Sequence, residues 1–189
     1  MAYSNINPAF LVEAVQKWIQ FQQAPIQALS LFAGGWEGWA RNQFALWLQD
    51  ALKYQLQNND PLDVLTEANT VPGEGGGTSV FESPTARADL VFNALSPIGQ
   101  TDDPVIVVEL KCQSPKQRWT AFRSGLTRDV AKLYDINSEL DEIFDERGIY
   151  AMALGICFNV PDLRPAAGFQ VVQATPEYAI QWWSDPALA

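Results

Sequence analysis

The chain has 189 residues, 48% of them hydrophobic, which suffices for one domain with a substantial core and does not suggest disorder. It contains no histidine and only two cysteines, so Ser-His-Asp and Cys-His catalysis, histidine-dependent nucleases and zinc sites of the usual kind are excluded. Chemistry must run on carboxylates, lysines or hydroxyls, and a net charge of −10 argues against a surface that coats nucleic acid all round. No apolar run reaches about 18 residues. The N-terminus, with Asn5, Asn7, Pro8 and no early basic cluster, does not resemble a signal peptide. A cytoplasmic protein without a membrane partner is expected.

In chain order, residues 8–23 read as an amphipathic helix, with Phe10, Leu11, Ala14, Val15, Trp18 and Ile19 at three-to-four spacing and Asn7-Pro8 as cap and first turn. Pro25 ends it or starts a turn. After the Gly34-Gly35 break, a longer helix is predicted from Trp36 to Gln57, burying Trp36, Ala40, Trp47, Leu48, Ala51 and Leu52. Glu37 sits in its first turn, where the helix dipole favours an acid. Gln43 lies near the apolar seam of that helix. Leu62–Val71 reads as a first strand, and the glycine-rich stretch 72–78 as a hairpin connection. That stretch lacks the following Lys-Ser/Thr of a P-loop.

Two strands follow, joined across Ser96 to Pro104. Thr85-Ala-Arg-Ala-Asp-Leu-Val-Phe92 puts Ala88, Leu90 and Phe92 on one face and Asp89 on the other, beside Val91. Pro104-Val-Ile-Val-Val-Glu-Leu-Lys-Cys-Gln113 is a β-branched run of the kind buried on both faces of a sheet. Period-2 alternation sets Glu109 and Lys111 on the side of Val105 and Val107, with Leu110 opposite. Charges beside a buried strand need a partner, because desolvating an unpaired ion costs several kcal/mol. If the strands pair, Asp89 and Glu109 converge with Lys111 on one pocket, and two hard oxygen ligands suit Mg²⁺ (or Mn²⁺).

A single helix is predicted from Phe122 to about Phe144, with Leu126, Val130, Leu133, Tyr134, Leu140 and Ile143 facing the core, then a buried strand at 148–158 and a last, shorter one from Phe169 to Thr175. Trp182-Trp183 is either an exposed patch or packs on the sheet. Cys112 and Cys157 fall in apolar strand-like segments and are expected to be free. Of the 12 Lys and Arg residues, six (Lys111, Lys116, Arg118, Arg123, Arg128, Lys132) lie between 111 and 132, where Asp129 is the only acid. Six acids follow at once, between Asp135 and Glu146. The basic stretch is either a solvated helix face or the face a polyanion would need.

The order of elements, Asp89 in Arg87-Ala-Asp-Leu-Val-Phe92, and Glu109 and Lys111 in Val107-Val-Glu-Leu-Lys111 resemble the PD-(D/E)xK, restriction-endonuclease-like superfamily of phosphodiesterases, whose core runs α-β-β-β-α-β. The family's Pro-Asp is Ala88-Asp89 here. The resemblance covers residues 36–160, with residues 1–35 as an N-terminal helical extension and 161–189 as a C-terminal strand and tail of one domain. It implies an α/β fold with a mixed central sheet flanked by helices, and metal-dependent hydrolysis of nucleic acid, DNA above RNA. Asp89, Glu109 and the carbonyl of Leu110 would hold the metal and Lys111 would orient or activate water. Glu37 matches the family's extra helix acid, although the position of Gln43 is the other candidate for facing the site. Gln113, just past the motif, is a further candidate. Lys116, Arg128 and Lys132 would touch phosphates. The resemblance leaves room for a homodimer, since many such nucleases pair to cut two strands, and for an inhibitor protein if the chain is a toxin or defence effector. The rival reading is a catalytically inactive interaction module on the same fold.

Overall fold

Pro8–Phe21 forms α1, capped as expected by Asn7, whose Oδ1 accepts the Ala9 N–H at 2.8 Å. The computed structural model describes residues 3–31, 36–56, 60–73, 76–97, 100–144, 147–161 and 163–185. The expected Gly34-Gly35 break, the Gln57 helix end, Glu74-Gly75 of the glycine stretch and the acids Asp145 and Glu146 lie outside those residues. Pro25 falls in the first turn of α2 (Gln23–Ser30), where its missing N–H costs nothing, so it helps begin a helix. The long helix is α3, Glu37–Leu56.

The strands are β1 (Val64–Ala68), β2 (Thr70–Gly73), β3 (Gly76–Ser79), β4 (Ala88–Phe92), β5 (Val105–Cys112), β6 (Ile149–Phe158), β7 (Gln170–Gln173) and β8 (Tyr178–Ser184). Six of them make a mixed sheet in the order β1-β4-β5-β6-β8-β7, while β2 and β3 form a separate hairpin. Only β5 and β6 run parallel, joined through α4 (Trp119–Leu133), as a parallel pair requires a long crossover. The alternation predicted for β5 holds. Ile106, Val108, Leu110 and Cys112 pack with α1 and α3 on one face, whereas Val105 and Val107 pack with Phe122, Leu126 and Leu133 of α4 on the other. The molecule is thus a mixed α/β protein with helices on both faces of its sheet, and among the described residues no helix is long and apolar enough to cross a membrane.

Three expectations are corrected. The strand expected over 62–71 is two, β1 and β2, parted at Asn69, where the chain passes from the main sheet into the β2–β3 hairpin; Glu67, with a positive φ of 53°, lies just inside the end of β1. The helix expected over 122–144 is two, α4 and α5 (Glu139–Ile143). Between them the backbone pairs sideways: Ile136 bridges Phe81, Asp135 O accepts from Glu82 N and Asn137 N donates to Val80 O. Tyr134 is consequently exposed instead of facing the core. The strand at 170–173 is not the last, because β8 follows it and inserts between β6 and β7. Trp182 and Trp183 therefore belong to the sheet, one packed on each face. Residues 3–31 contribute Leu11, Val15, Trp18 and Ile26 to the main core.

The chain's start is also tied to the far end of the sheet. Asn93, buried with φ 64°, donates through Nδ2 to Ile6 O at 2.8 Å and Pro104 O at 2.7 Å and accepts Ile6 N–H at 3.0 Å. Beside it, buried Asp63 accepts the N–H groups of Leu95 and Ser96.

Candidate active site

The pairing of β4 with β5 runs from Phe92 opposite Ile106 to Leu90 opposite Val108, but β5 continues to Cys112. Alternate N–H groups of a strand point to the same edge, so those of Leu110 and Cys112 face the gap where β4 has turned away. Buried N–H groups require partners. Two carboxylates supply them: Asp89 Oδ2 accepts from Leu110 N at 2.8 Å and Glu37 Oε2 from Cys112 N at 3.2 Å. Continuing the register by one residue sets Asp89 opposite Glu109. The carboxylates at 37, 89 and 109 thus meet at one end of the sheet.

Glu37 gets there because Trp36, just before α3, donates its indole N–H to Gln113 O at 3.1 Å, pinning the helix start to the end of β5. Glu37 also receives the Lys111 ammonium at 3.1 and 3.3 Å. One turn later Arg41, only 8% exposed, donates to Asp89 Oδ1 at 2.8 Å and pairs with Glu67. The Lys111 stem runs along α4 at Gly125, where an added Cβ would lie 3.4 Å from Lys111 Cδ and Cε. Its ammonium lies 3.8 Å from Asp129 Oδ2, an oxygen that is buried and has no hydrogen-bond partner. Glu109 pairs with Lys132 at 2.8 Å, and Lys132 also donates to Arg87 O and lies 4.8 Å above the Phe81 ring.

Four carboxylates, with the exposed Glu67 at the rim, therefore interleave with three cations, and burial raises the pKa of two of them. Glu109 is pushed up to about 8, first by desolvation and then by Asp89 and Asp129, against the opposing bond from Lys132. Desolvation likewise raises Asp129 to about 6, opposed by Lys111. Desolvation works against the Lys111 ammonium, but Glu37, Asp129 and Asp89 outweigh it and hold its pKa above the ordinary value. Lys111 is accordingly charged throughout the neutral range.

Glu37, not Gln43, faces the site. Six residues on, Gln43 lies about 240° further around the helix, and it is half-buried elsewhere. Gln113 does not enter the charge cluster; its Oε1 accepts Phe158 N–H at 3.1 Å and fastens the ends of β5 and β6. Lys116 and Arg128 are exposed, whereas Lys132, expected to touch phosphate, has its ammonium drawn inward to Glu109. Sequence reasoning missed Arg41 and gave Asp129 no role. Their signals were present: Arg41 stands four residues after Glu37, one helical turn on, and Asp129 is the lone acid of the basic stretch. The two cysteines are free and buried, as expected.

For a metal, the donors present are the carboxylates of Asp89 and Glu109 and the Leu110 carbonyl, which shares an edge with the N–H that Asp89 accepts. Among the described residues no three Asp, Glu or Cys side chains form a ready-made cage. The donor set suits Mg²⁺, which is usually held by one or two carboxylates and keeps several waters. Arg41 and Lys132 already occupy one oxygen each of the two carboxylates, so an ion would have to displace or share them. Compared with models of protein families, with curated proteins and with solved structures, the chain matches none.

Proposed function

We propose that this chain is a metal-dependent phosphodiesterase acting on nucleic acid, DNA above RNA, built on a restriction-endonuclease-like core. The order α3-β1-β4-β5-α4-β6, with the β2–β3 hairpin as an insertion, supports that core. The observation that carries the reading is the convergence of Asp89, Glu109 and Lys111 at one end of the sheet, with Lys111 held by Glu37 and flanked by Asp129.

Asp89, Glu109 and the Leu110 carbonyl would hold Mg²⁺ or Mn²⁺. When bound, such an ion supplies Lewis-acid stabilisation of the phosphoryl group and a more acidic water. Lys111, kept protonated by its acidic neighbours, cannot accept a proton at neutral pH; it orients water and offsets charge on the phosphate oxygens. Glu37 and Asp129 fix where that ammonium points. Exposed Lys116 and Arg128 are the contacts for neighbouring phosphates, giving salt-sensitive binding.

The test is incubation with plasmid and oligonucleotides in Mg²⁺, Mn²⁺ or EDTA, alongside Asp89→Ala and Lys111→Ala. Metal-dependent cleavage lost in both variants is expected. A second reading, the inactive interaction module, draws on Arg41: it binds Asp89 where an ion would sit, while Asp89 and Glu37 cap strand N–H groups as purely structural carboxylates do. Absence of cleavage together with no Mg²⁺-induced rise in Tm would favour it and sink the enzyme.

A further inference from the structure

Away from the charge cluster, α4 presents a second polar surface. Thr120, Ser124 and Thr127 stand at i, i+4 and i+7 on one stripe of that helix, with Arg123 beside them, and Ala166 and Ala167 close the opposite wall of a cavity of about 290 Å³. Three hydroxyl residues within one helical stripe weaken the helix unless their groups serve something else. Thr127 gives its proton to Arg123 O at 3.2 Å, leaving Thr120 and Ser124 as hydroxyl donors toward the cavity. The Nε of Arg123 is buried and has no hydrogen-bond partner. No carboxylate lines the cavity, so the half-buried Arg123 side chain has no anionic partner within it.

The far wall is fixed. Phe169 N–H donates to Ala166 O at 3.0 Å across a turn whose third residue, Gly168, has φ 79°, which an L side chain rarely adopts. Ala166 N–H is in turn held at 2.8 Å by Oε1 of the fully buried Gln181. The two alanines leave the space between wall and helix clear, so the cavity is both donor-rich and preformed.

We propose that Thr120, Arg123 and Ser124, facing the Ala166–Ala167 turn, form a binding site for a phosphoryl group. A tetrahedral oxyanion suits this lining, a cation and two hydroxyls with no acid among them, because it can accept from all three at once. Its source is either free phosphate or the backbone of a nucleic acid, and only the second depends on the nuclease reading. A monocarboxylate, with two oxygens instead of three or four, fits the three donors less well.

The experiment is calorimetric titration of the full chain in EDTA, first with orthophosphate and then with a short oligonucleotide, comparing wild type with Arg123→Gln and with Lys53→Gln as a charge-matched control on another helix. Arg123→Gln is expected to weaken orthophosphate binding by at least about tenfold, and Lys53→Gln to leave it unchanged. Ser124→Ala, which keeps the guanidinium and is less disruptive, should weaken it by about threefold. A parallel loss of oligonucleotide binding in Arg123→Gln assigns the site to a nucleic-acid backbone; unchanged oligonucleotide binding assigns it to free phosphate. Saturable binding weakened equally by Arg123→Gln and Lys53→Gln, or no saturable binding to wild type, overturns the proposal. Because no metal is present, failure here leaves the cleavage assay untouched, and failure of cleavage leaves this test standing.

Discussion

Replacing Glu109 by Gln removes a carboxyl group that is 5% exposed and whose pKa in the fold is about 8, against an ordinary 4.5. Between those two values the folded chain holds a proton that the unfolded chain has released. Stability from this group is therefore complete below pH 4.5 and is lost as pH rises through 8. At about 1.36 kcal/mol per pH unit, the full span amounts to on the order of 5 kcal/mol. For a chain of this size that corresponds to a fall in Tm of roughly 10–20 °C. The assay is thermal unfolding by circular dichroism from pH 4.5 to 8.5 in EDTA, for wild type and E109Q. Asp129, raised to about 6, titrates in the same direction in both proteins, so the difference between the two curves isolates Glu109. Wild type should lose Tm relative to E109Q as pH rises, and Mg²⁺ at pH 8.5 should restore wild type alone, because a metal stabilises the ionised carboxylate. Parallel curves for the two proteins would refute the claim that burial outweighs the Lys132 bond.

Other consequences follow from the packing around the site. Gly125→Val should push the Lys111 stem off α4 and abolish cleavage while the far-ultraviolet spectrum is kept, because a Cβ there would already touch that stem at 3.4 Å and valine adds two methyl groups beyond it; a fully active variant would show that Lys111 is not held there. Gly155→Ala places a Cβ 2.9–3.0 Å from Leu126 and Phe122, and urea denaturation should show a loss of about 1–3 kcal/mol from overpacking between β6 and α4. Arg41→Met leaves Asp89 without its partner and should cost roughly 3 kcal/mol in EDTA. Millimolar Mg²⁺ should recover more of that loss than it adds to wild type, as read by Tm.

The β5 and β6 strands were readable because their signal is local: an uninterrupted apolar run, a proline at the entry of one and period 2 within it. Side-chain alternation then carried Asp89, Glu109 and Lys111 to the same face, and the antiparallel register brought 89 opposite 109. What alternation could not supply was the identity of ionic partners. Arg41 reaches Asp89 across 48 residues, and Lys132 turns inward to Glu109, over the Phe81 ring and onto Arg87 O. The break after Leu133 was equally hidden, since residues 130–144 keep a helical apolar pattern while the backbone of residues 135–137 pairs with Val80, Phe81 and Glu82. Strand β8 was passed over for another reason. It is separated from β7 by a turn that includes Pro176, and its two tryptophans read as a surface feature.

The overshoot of β5 past β4 also provides a built-in reporter. The amides of Leu110 and Cys112 owe their protection to the Asp89 and Glu37 side chains instead of to a neighbouring strand. Any ligand that draws those acids away would expose two backbone protons to solvent exchange, while Val108, inside the paired region, would keep its slow rate. Deuterium uptake at these three alternate residues of one strand would then distinguish a site that opens to receive an ion from one that stays locked.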